Sequence, residues 1–371
     1  MTYVAGFLTD HGIYLTVDSA STGGVETAIH SDTFFGEPAV HDSYAISDNA
    51  MKLFQISSHR LVAAAGDYEK IHQSIQFLRE NSHLLESPSE LFRILQLSLQ
   101  LPNNSISLVF AEHNEKGFEM GIWRSGDEYV KPTNSEGMSP FAICTGSGRV
   151  FSYLTENIGK AIRLVTDATI PNNLAFISCC HQLHGVHANH VLKNVGGAFI
   201  TAVLTKKGVV WQPDITYFRY SPSIMKKKRQ GKDKLTMFYP VNVMVREGAV
   251  FVERRVPEYR AIYMDNAVNK AQSAEIKNKH EEEVNKTALN LSCEYGAFLS
   301  SDDPYAILIH HFKDDYYYKN DIEKNTANIS FSEDIYAKLI EKPLLNNMHG
   351  AMNIFCLPEN FIKPNYKIPV L

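Results

Sequence analysis

Residues 2–18 read TYVAGFLTDHGIYLTVD, two short runs rich in β-branched and aromatic residues, 2–8 and 13–17, on either side of the polar turn Thr9-Asp10-His11-Gly12. Apolar runs bounded by turn residues predict an antiparallel hairpin, so the chain enters its fold as a strand. Thr2 then stands at the start of one strand and Asp18 at the end of its partner.

The same pattern recurs downstream. Met51–Ser57 and Arg60–Ala65 read as a second strand pair ending at Gly66-Asp67. Asp67 is an N-cap residue, and Ile71, Ile75 and Leu78 recur at helical spacing after it. A second helix is predicted from Ser87 as N-cap, Pro88 at its first position and Glu90 closing a capping box. Strands are expected at 105–112, 118–124 and 141–148, the last carrying Thr145-Gly146-Ser147-Gly148. Helices are expected over 150–165 and 173–190, then a hairpin of 198–205 with 209–220 turning at Lys206-Lys207-Gly208. Sheet, two helices, sheet, two helices, sheet is not the alternation of a parallel doubly wound fold. It predicts an α+β chain in which two antiparallel sheets lie between helix pairs.

Composition changes at the charged stretch Met225–Lys234, which has no apolar periodicity after Met225, and a boundary is expected there, between a first domain at 1–222 and a C-terminal domain or extension of unknown fold at 223–371. In the latter, 235–256 reads as a hairpin turning at Arg246-Glu247-Gly248 and 265–291 as a charged amphipathic helix. The C-terminal third carries no interpretable motif.

With 371 residues, 44% hydrophobic and 21% charged, the chain has the composition of a folded globular protein. A net charge of −5 gives no global footprint for nucleic acid or an anionic membrane surface, and the basic run Lys226–Arg229 reads as a solvated linker. Five cysteines are too few and too scattered for a disulfide framework. The first residues lack a basic n-region, and no run approaches the about 18 apolar residues of a membrane span. A cytoplasmic location is the expectation. His181, His184, His187 and His190 recur beside Cys179 and Cys180. Steps of three drift around a helix, however, so the four cannot converge on one metal, and they read as a partly exposed helix face.

Three positions of the first domain suggest chemistry. Removal of Met1, favoured by the small side chain that follows, would make Thr2 the N-terminal residue. A free α-amine has a pKa of about 8, so a single residue would then supply both a hydroxyl nucleophile and its general base. A buried Lys52 paired with Asp18 would place positive charge beside it, favouring the neutral amine and the developing alkoxide.

With these residues in place, the first 222 or so positions resemble a proteasome β-subunit or the related bacterial HslV-type peptidase, members of the N-terminal nucleophile (Ntn) hydrolases. The sixteen residues from Thr2 to Asp18 and the fourteen from Lys52 to Gly66 match the family's spacings. Ala65-Gly66 resembles its strand-to-helix turn, Thr145–Gly148 the motif of its auxiliary serine, and Gly196-Gly197 the opening of its penultimate strand. Two departures stand beside these matches. The loop between Asp18 and Lys52 is longer than the family's, and Leu192-Lys193-Asn194-Val195 holds neither the carboxylate nor the hydroxyl the family carries there.

The resemblance implies a four-layer αββα sandwich and a threonine-dependent peptidase with Thr2, Asp18, Lys52 and Ser147 catalytic. It implies the Gly66 N–H as oxyanion donor, and Ala64 and Tyr68 in the substrate pocket, with an apolar or aromatic preference. A peptide or amide substrate and a homo-oligomer are implied, with no cofactor or metal. The rivals are a small-molecule amidase or acylase of the same superfamily and a non-catalytic scaffold of the same fold.

Overall fold

The computed structural model describes residues 2–23, 33–35, 40–41, 44–81, 87–132, 142–147, 170–187, 195–220, 238–254, 259–267, 269–293, 306–310, 327–331 and 352–356, together with Thr155, Ile158, Gly159 and Ile162. The chain opens with β1 (Tyr3–Thr9), β2 (Gly12–Asp18), β3 (Ser21–Gly23), β4 (Val40–His41), β5 (Tyr44–Ser47), β6 (Leu53–Ser57) and β7 (Arg60–Gly66). Helices α1 (Tyr68–Asn81) and α2 (Pro88–Leu99) follow, then β8 (Ile106–Asn114), β9 (Gly117–Arg124) and β10 (Ala142–Gly146). After α3 (Ile170–His187) come β11 (Phe199–Thr205), β12 (Gly208–Trp211), β13 (Ile215–Tyr220), β14 (Phe238–Arg246), β15 (Ala249–Arg254) and β16 (Arg260–Met264). The last elements are α4 (Lys270–Cys293), β17 (Ala306–His310), β18 (Ala327–Phe331) and β19 (Met352–Cys356).

The architecture is mixed helix and sheet, α+β, with several antiparallel sheets. One sheet runs β10-β1-β2-β11-β12, and another β6-β7-β8-β9. The opening hairpin forms in the register the turn dictates, Val4 opposite Val17 and Thr9 opposite Gly12. Every residue of β2 is buried because β1 and β11 flank it. Its buried Thr16 Oγ1 accepts a hydrogen bond from Thr201 Oγ1 on β11 (2.9 Å), which removes the cost of burying a lone polar group. Strands β1 and β2 touch β7 and β9, α1 rests on β6 and β7, and α3 on β11 and β2. The residues between these elements belong to one buried apolar cluster that continues through Ile215 and Tyr217 into Val241, Val243, Val250 and Val252.

Asp67 caps α1 as expected, accepting the Lys70 N–H at 3.0 Å. The box expected at α2 does not form. Ser87 has extended backbone angles but makes no side-chain cap bond, and Pro88 with the Leu91 N–H to Ser87 O bond (3.0 Å) starts the helix instead. The expected strand 209–220 breaks in two. Pro213 has no N–H to continue the ladder, while Gln212 turns its side chain inward to take the Thr201 N–H (2.7 Å). The chain leaves the first sheet there, and β13 pairs with β14 in a seven-stranded sheet ordered β16-β15-β14-β13-β17-β18-β19. The hairpin expected over 235–256 is present as β14 and β15, turning through Glu247 and Gly248 at positive φ. The final long helix starts later than its periodicity suggested, because Asn269 caps it through the Gln272 N–H (2.9 Å). The linker 225–234 lies outside the described residues. Among the described residues no helix is long and apolar enough to cross a membrane.

Candidate active site

Four residues from separate parts of the chain meet at the start of β1. Thr2, 3% exposed, immediately precedes that strand, and Asp18, fully buried, ends β2. Lys52, 5% exposed, precedes β6, and Ser147 follows β10. The hairpin register alone brings Thr2 and Asp18 together, and Asp18 Oδ1 accepts the Tyr3 N–H at 2.9 Å. Pairing of β1 with β10 sets Tyr3 opposite Gly146, which delivers Ser147 to Thr2. Ser147 Oγ accepts the Thr2 N–H (2.9 Å) and donates to Thr2 O (3.3 Å). Gly146 has φ +79 and packs so closely that a side chain would collide with Thr2 O, so glycine is required twice over.

Lys52 reaches the same point from the other sheet. Its Nζ donates to Asp18 Oδ1 at 2.8 Å and to Ala20 O, and its own carbonyl accepts the Ala64 N–H at 2.8 Å. Asp18 Oδ2 takes a third donor, the Gly196 N–H at 3.1 Å. Burial pushes the Lys52 ammonium below the ordinary lysine range, while the charge and hydrogen bond of Asp18 oppose that shift. Lys52 thus shares the Asp18 carboxylate with the residue that follows Thr2, in a buried setting where charge acts at low dielectric.

The other expected residues sit nearby in different settings. Gly66 closes β7 at φ +127, and a Cβ there would come within 2.8 Å of Ile106 Cα, so the turn into α1 admits only glycine. Ala65, its neighbour, lies beside Gly146, where a Cβ would come within 3.4 Å of the Ala65 side chain. Ala64 is wholly buried in the β7 ladder opposite Leu108, whereas Tyr68 is 58% exposed on the first turn of α1, its ring 4.3 Å from that of His72. Met1 and Leu192–Asn194 lie outside the described residues.

The histidine series gives a correction. His181, expected on a partly exposed face, is 1% exposed and packs against Tyr3, Phe7 and Phe199. Its Nδ1 faces Ile177 O at 2.8 Å, and a carbonyl only accepts, so Nδ1 carries the proton and Nε2 accepts from the Tyr3 hydroxyl (2.7 Å). The Tyr3 oxygen in turn lies 2.6 Å from Thr155 Oγ1. This buried chain fixes the residue next to Thr2, and sequence reading missed it because a lone histidine on an apolar helix has no partner signature. Cys180 is also buried, which pushes its thiol far above the usual range and leaves it inert. The side chains of Cys179, His184, His187 and His190 lie outside the described residues. Among the described residues no group of three or more His, Cys, Asp or Glu side chains could hold a metal ion.

Comparison with known proteins finds no family model that matches the chain and no curated protein that matches it.

Proposed function

We propose that the chain is a threonine-dependent amide hydrolase, a proteasome-like peptidase whose nucleophile is the Thr2 hydroxyl once Met1 is removed. The observation that carries this reading is the convergence of Thr2, Asp18, Lys52 and Ser147 in one buried, hydrogen-bonded cluster. In the reaction the Thr2 oxygen attacks the substrate carbonyl and its proton passes to the Thr2 amine. Collapse of the tetrahedral adduct returns that proton to the leaving amine and leaves an ester on Thr2, which water hydrolyses by the same route. The Lys52 charge favours the neutral amine and the alkoxide, with Asp18 holding the ammonium in place. Ser147 orients the Thr2 nitrogen. The Gly66 N–H serves the oxyanion, a role worth on the order of 3 kcal/mol per donor in other hydrolases. While Met1 remains attached the nitrogen is an amide, which donates to Ser147 and cannot act as a base.

The fold reading that accompanies this is a four-layer αββα sandwich over 1–222, with 223–371 as a second unit whose sheet β13 joins from the first. The contacts of β1 and β2 with β7 and β9, and of α1 and α3 with the sheets, support it. In the substrate pocket the apolar or aromatic preference rests on Tyr68, since Ala64 is enclosed in its sheet. A homo-oligomer in the cytoplasm completes the reading.

The near-complete burial of Thr2 favours one rival, a non-catalytic scaffold of the same fold. Intact mass before and after a threonine-directed β-lactone or epoxyketone separates the two. Loss of Met1 with a single adduct that maps to Thr2 and vanishes in Thr2→Ala supports the hydrolase. Retained Met1 with no adduct overturns it in favour of the scaffold.

A further inference from the structure

The chain ahead of Lys52 is gripped from the C-terminal sheet at Thr33, Phe34 and Asp48. Arg254, at the end of β15, and Arg260, at the start of β16, are cross-strand partners, so two guanidinium groups arise on one face of the sheet. Both are buried, at 3% and 8% exposure. Like charges placed opposite each other and removed from water need acceptors, and here a distant stretch of chain supplies several. Arg254 Nη1 donates to Thr33 O (3.2 Å) and Phe34 O (3.3 Å), and Arg260 Nη1 to Thr33 O (3.4 Å). The Arg260 guanidinium also lies 4.7 Å from the centre of the Phe34 ring. The Asp48 carboxylate completes the group, accepting the Phe34 N–H at 2.7 Å and facing Arg260 Nη2 at 4.0 Å. Thr33, Phe34 and Phe35 are almost fully enclosed, with the Phe35 ring edge-on to Tyr217 of β13 at 5.4 Å.

Asp48 lies four residues before Lys52, and its backbone carbonyl contacts Ser19, the residue between the two acceptors of the lysine. Ser19 stands between Asp18 and Ala20, the two acceptors of the Lys52 ammonium. Its Oγ donates to Asp48 O (3.0 Å) and accepts the Ala198 N–H (2.9 Å), while its carbonyl accepts the Ala50 N–H (2.9 Å). Gly197, at φ +70, lies against both, and a Cβ there would come within 2.7 Å of Asp48 Cβ. The route from Arg260 through Asp48 and Ser19 to the acceptors of Lys52 is therefore continuous, its longest step the 4.0 Å between Arg260 Nη2 and Asp48 Oδ1.

We propose that Arg254, Arg260 and Asp48 form a positioning clasp, through which the C-terminal sheet and Thr33–Phe35 set the placement of the Lys52 ammonium beside Thr2. The proposal rests on the hydrolase reading only for the consequence at Thr2. The placement of Lys52 is testable without it. None of the three residues touches the reacting atoms. Each acts through Ser19 and its neighbours.

The test uses the full chain and four variants, Asp48→Asn, Arg260→Gln, Arg260→Lys and Ser19→Ala, with two readouts. The first is the rate constant and half-saturation for β-lactone acylation of Thr2. The second is the pH titration of the Lys52 side chain by carbon NMR on lysine-labelled protein, assigned with Lys52→Arg. Asp48→Asn and Arg260→Gln are expected to lower the maximal acylation rate on the order of tenfold, with half-saturation unchanged, because a displaced group costs rate rather than binding. The Lys52 titration should move toward that of an ordinary lysine as water enters. Arg260→Lys, which keeps the charge, should fall closer to the wild type. If Asp48→Asn does not fold, Ser19→Ala removes one hydroxyl from the same route and carries the same expectation. Folded variants that match the wild type in both readouts overturn the clasp and leave the hydrolase reading standing. An unreactive wild type whose Lys52 titration still shifts in the variants supports the clasp and overturns the hydrolase.

Discussion

Asp18→Asn isolates the charge at the centre of the site. The amide keeps an oxygen for the Tyr3 N–H, but the buried Lys52 ammonium loses its counter-ion. Removing one partner of a buried pair costs roughly 3–5 kcal/mol, since it leaves an uncompensated charge. The cost has a ceiling, because Lys52 can escape by losing its proton. From an ordinary pKa of about 10.4, deprotonation at pH 7 costs about 3.4 pH units at about 1.36 kcal/mol each, or about 4.6 kcal/mol, and at pH 9 only about 1.9 kcal/mol. Lys52 is already shifted below the ordinary lysine range by burial, and loss of Asp18 removes the opposing influence and lowers it further. Its folded pKa then lies below its unfolded one, the unfolded chain binds more protons, and stability of the variant rises with pH between the two values. The difference between wild type and Asp18→Asn, measured from urea midpoints at equal slope, is therefore expected at about 3–4.5 kcal/mol at pH 7, shrinking to about 2 kcal/mol at pH 9. Adding Lys52→Met should recover part of the loss at pH 7. A difference that is constant or grows between pH 7 and 9, or a double variant no more stable than Asp18→Asn, would refute the reasoning.

Thr2→Ala should abolish the β-lactone adduct with no more than about 1 kcal/mol change in stability, and Thr2→Ser should retain the adduct, as mass spectrometry and thermal melts will show. Reactivity of the processed chain should rise with pH through about 8 as the Thr2 amine loses its proton, seen in the acylation rate. Gly197→Ala should destabilise by about 1–3 kcal/mol or more, because it adds a collision with Ser19 and Asp48 to the strain of φ +70. Gly117→Ala, at φ +112 with open space around it, should cost the strain alone, and a denaturant series on the pair separates the contributions. Tyr3→Phe removes the bonds to His181 and Thr155 and should cost about 1–3 kcal/mol, with a slower acylation rate as the check on its reach to Thr2.

Much of the fold's local content is legible in the chain because it is set by neighbours in sequence. The turn at Thr9–Gly12 and the alternation around it specify the β1–β2 hairpin, and with it the meeting of Thr2 and Asp18. Asp67 and the spacing of Ile71, Ile75 and Leu78 specify α1, because cap and apolar face lie within a few turns. Local signals misled where a side chain found a better partner elsewhere. Gln212 and Pro213 ended a strand whose apolar pattern ran on, and Ser87 left its capping role to Pro88 and the backbone. Lys52 and Ser147 could be named from their motifs, but not placed. The placement of Ser147 at Thr2 and of Lys52 at Asp18 depends on β10 pairing with β1 and on contacts of β1 with β7 and of β2 with β6 and β7. The grip on Lys52 was illegible. Asp48, Arg254 and Arg260 carry no motif, and they meet only because β15 and β16 pair in one register and Thr33–Phe35 returns to accept from both guanidinium groups. Short-range propensity and spacing are properties of the sequence itself, so the hairpin, the helices and the candidate nucleophile follow from it. Burial of charge is a property of what surrounds it, and only the tertiary structure decides which charges lose their water and which partners they keep.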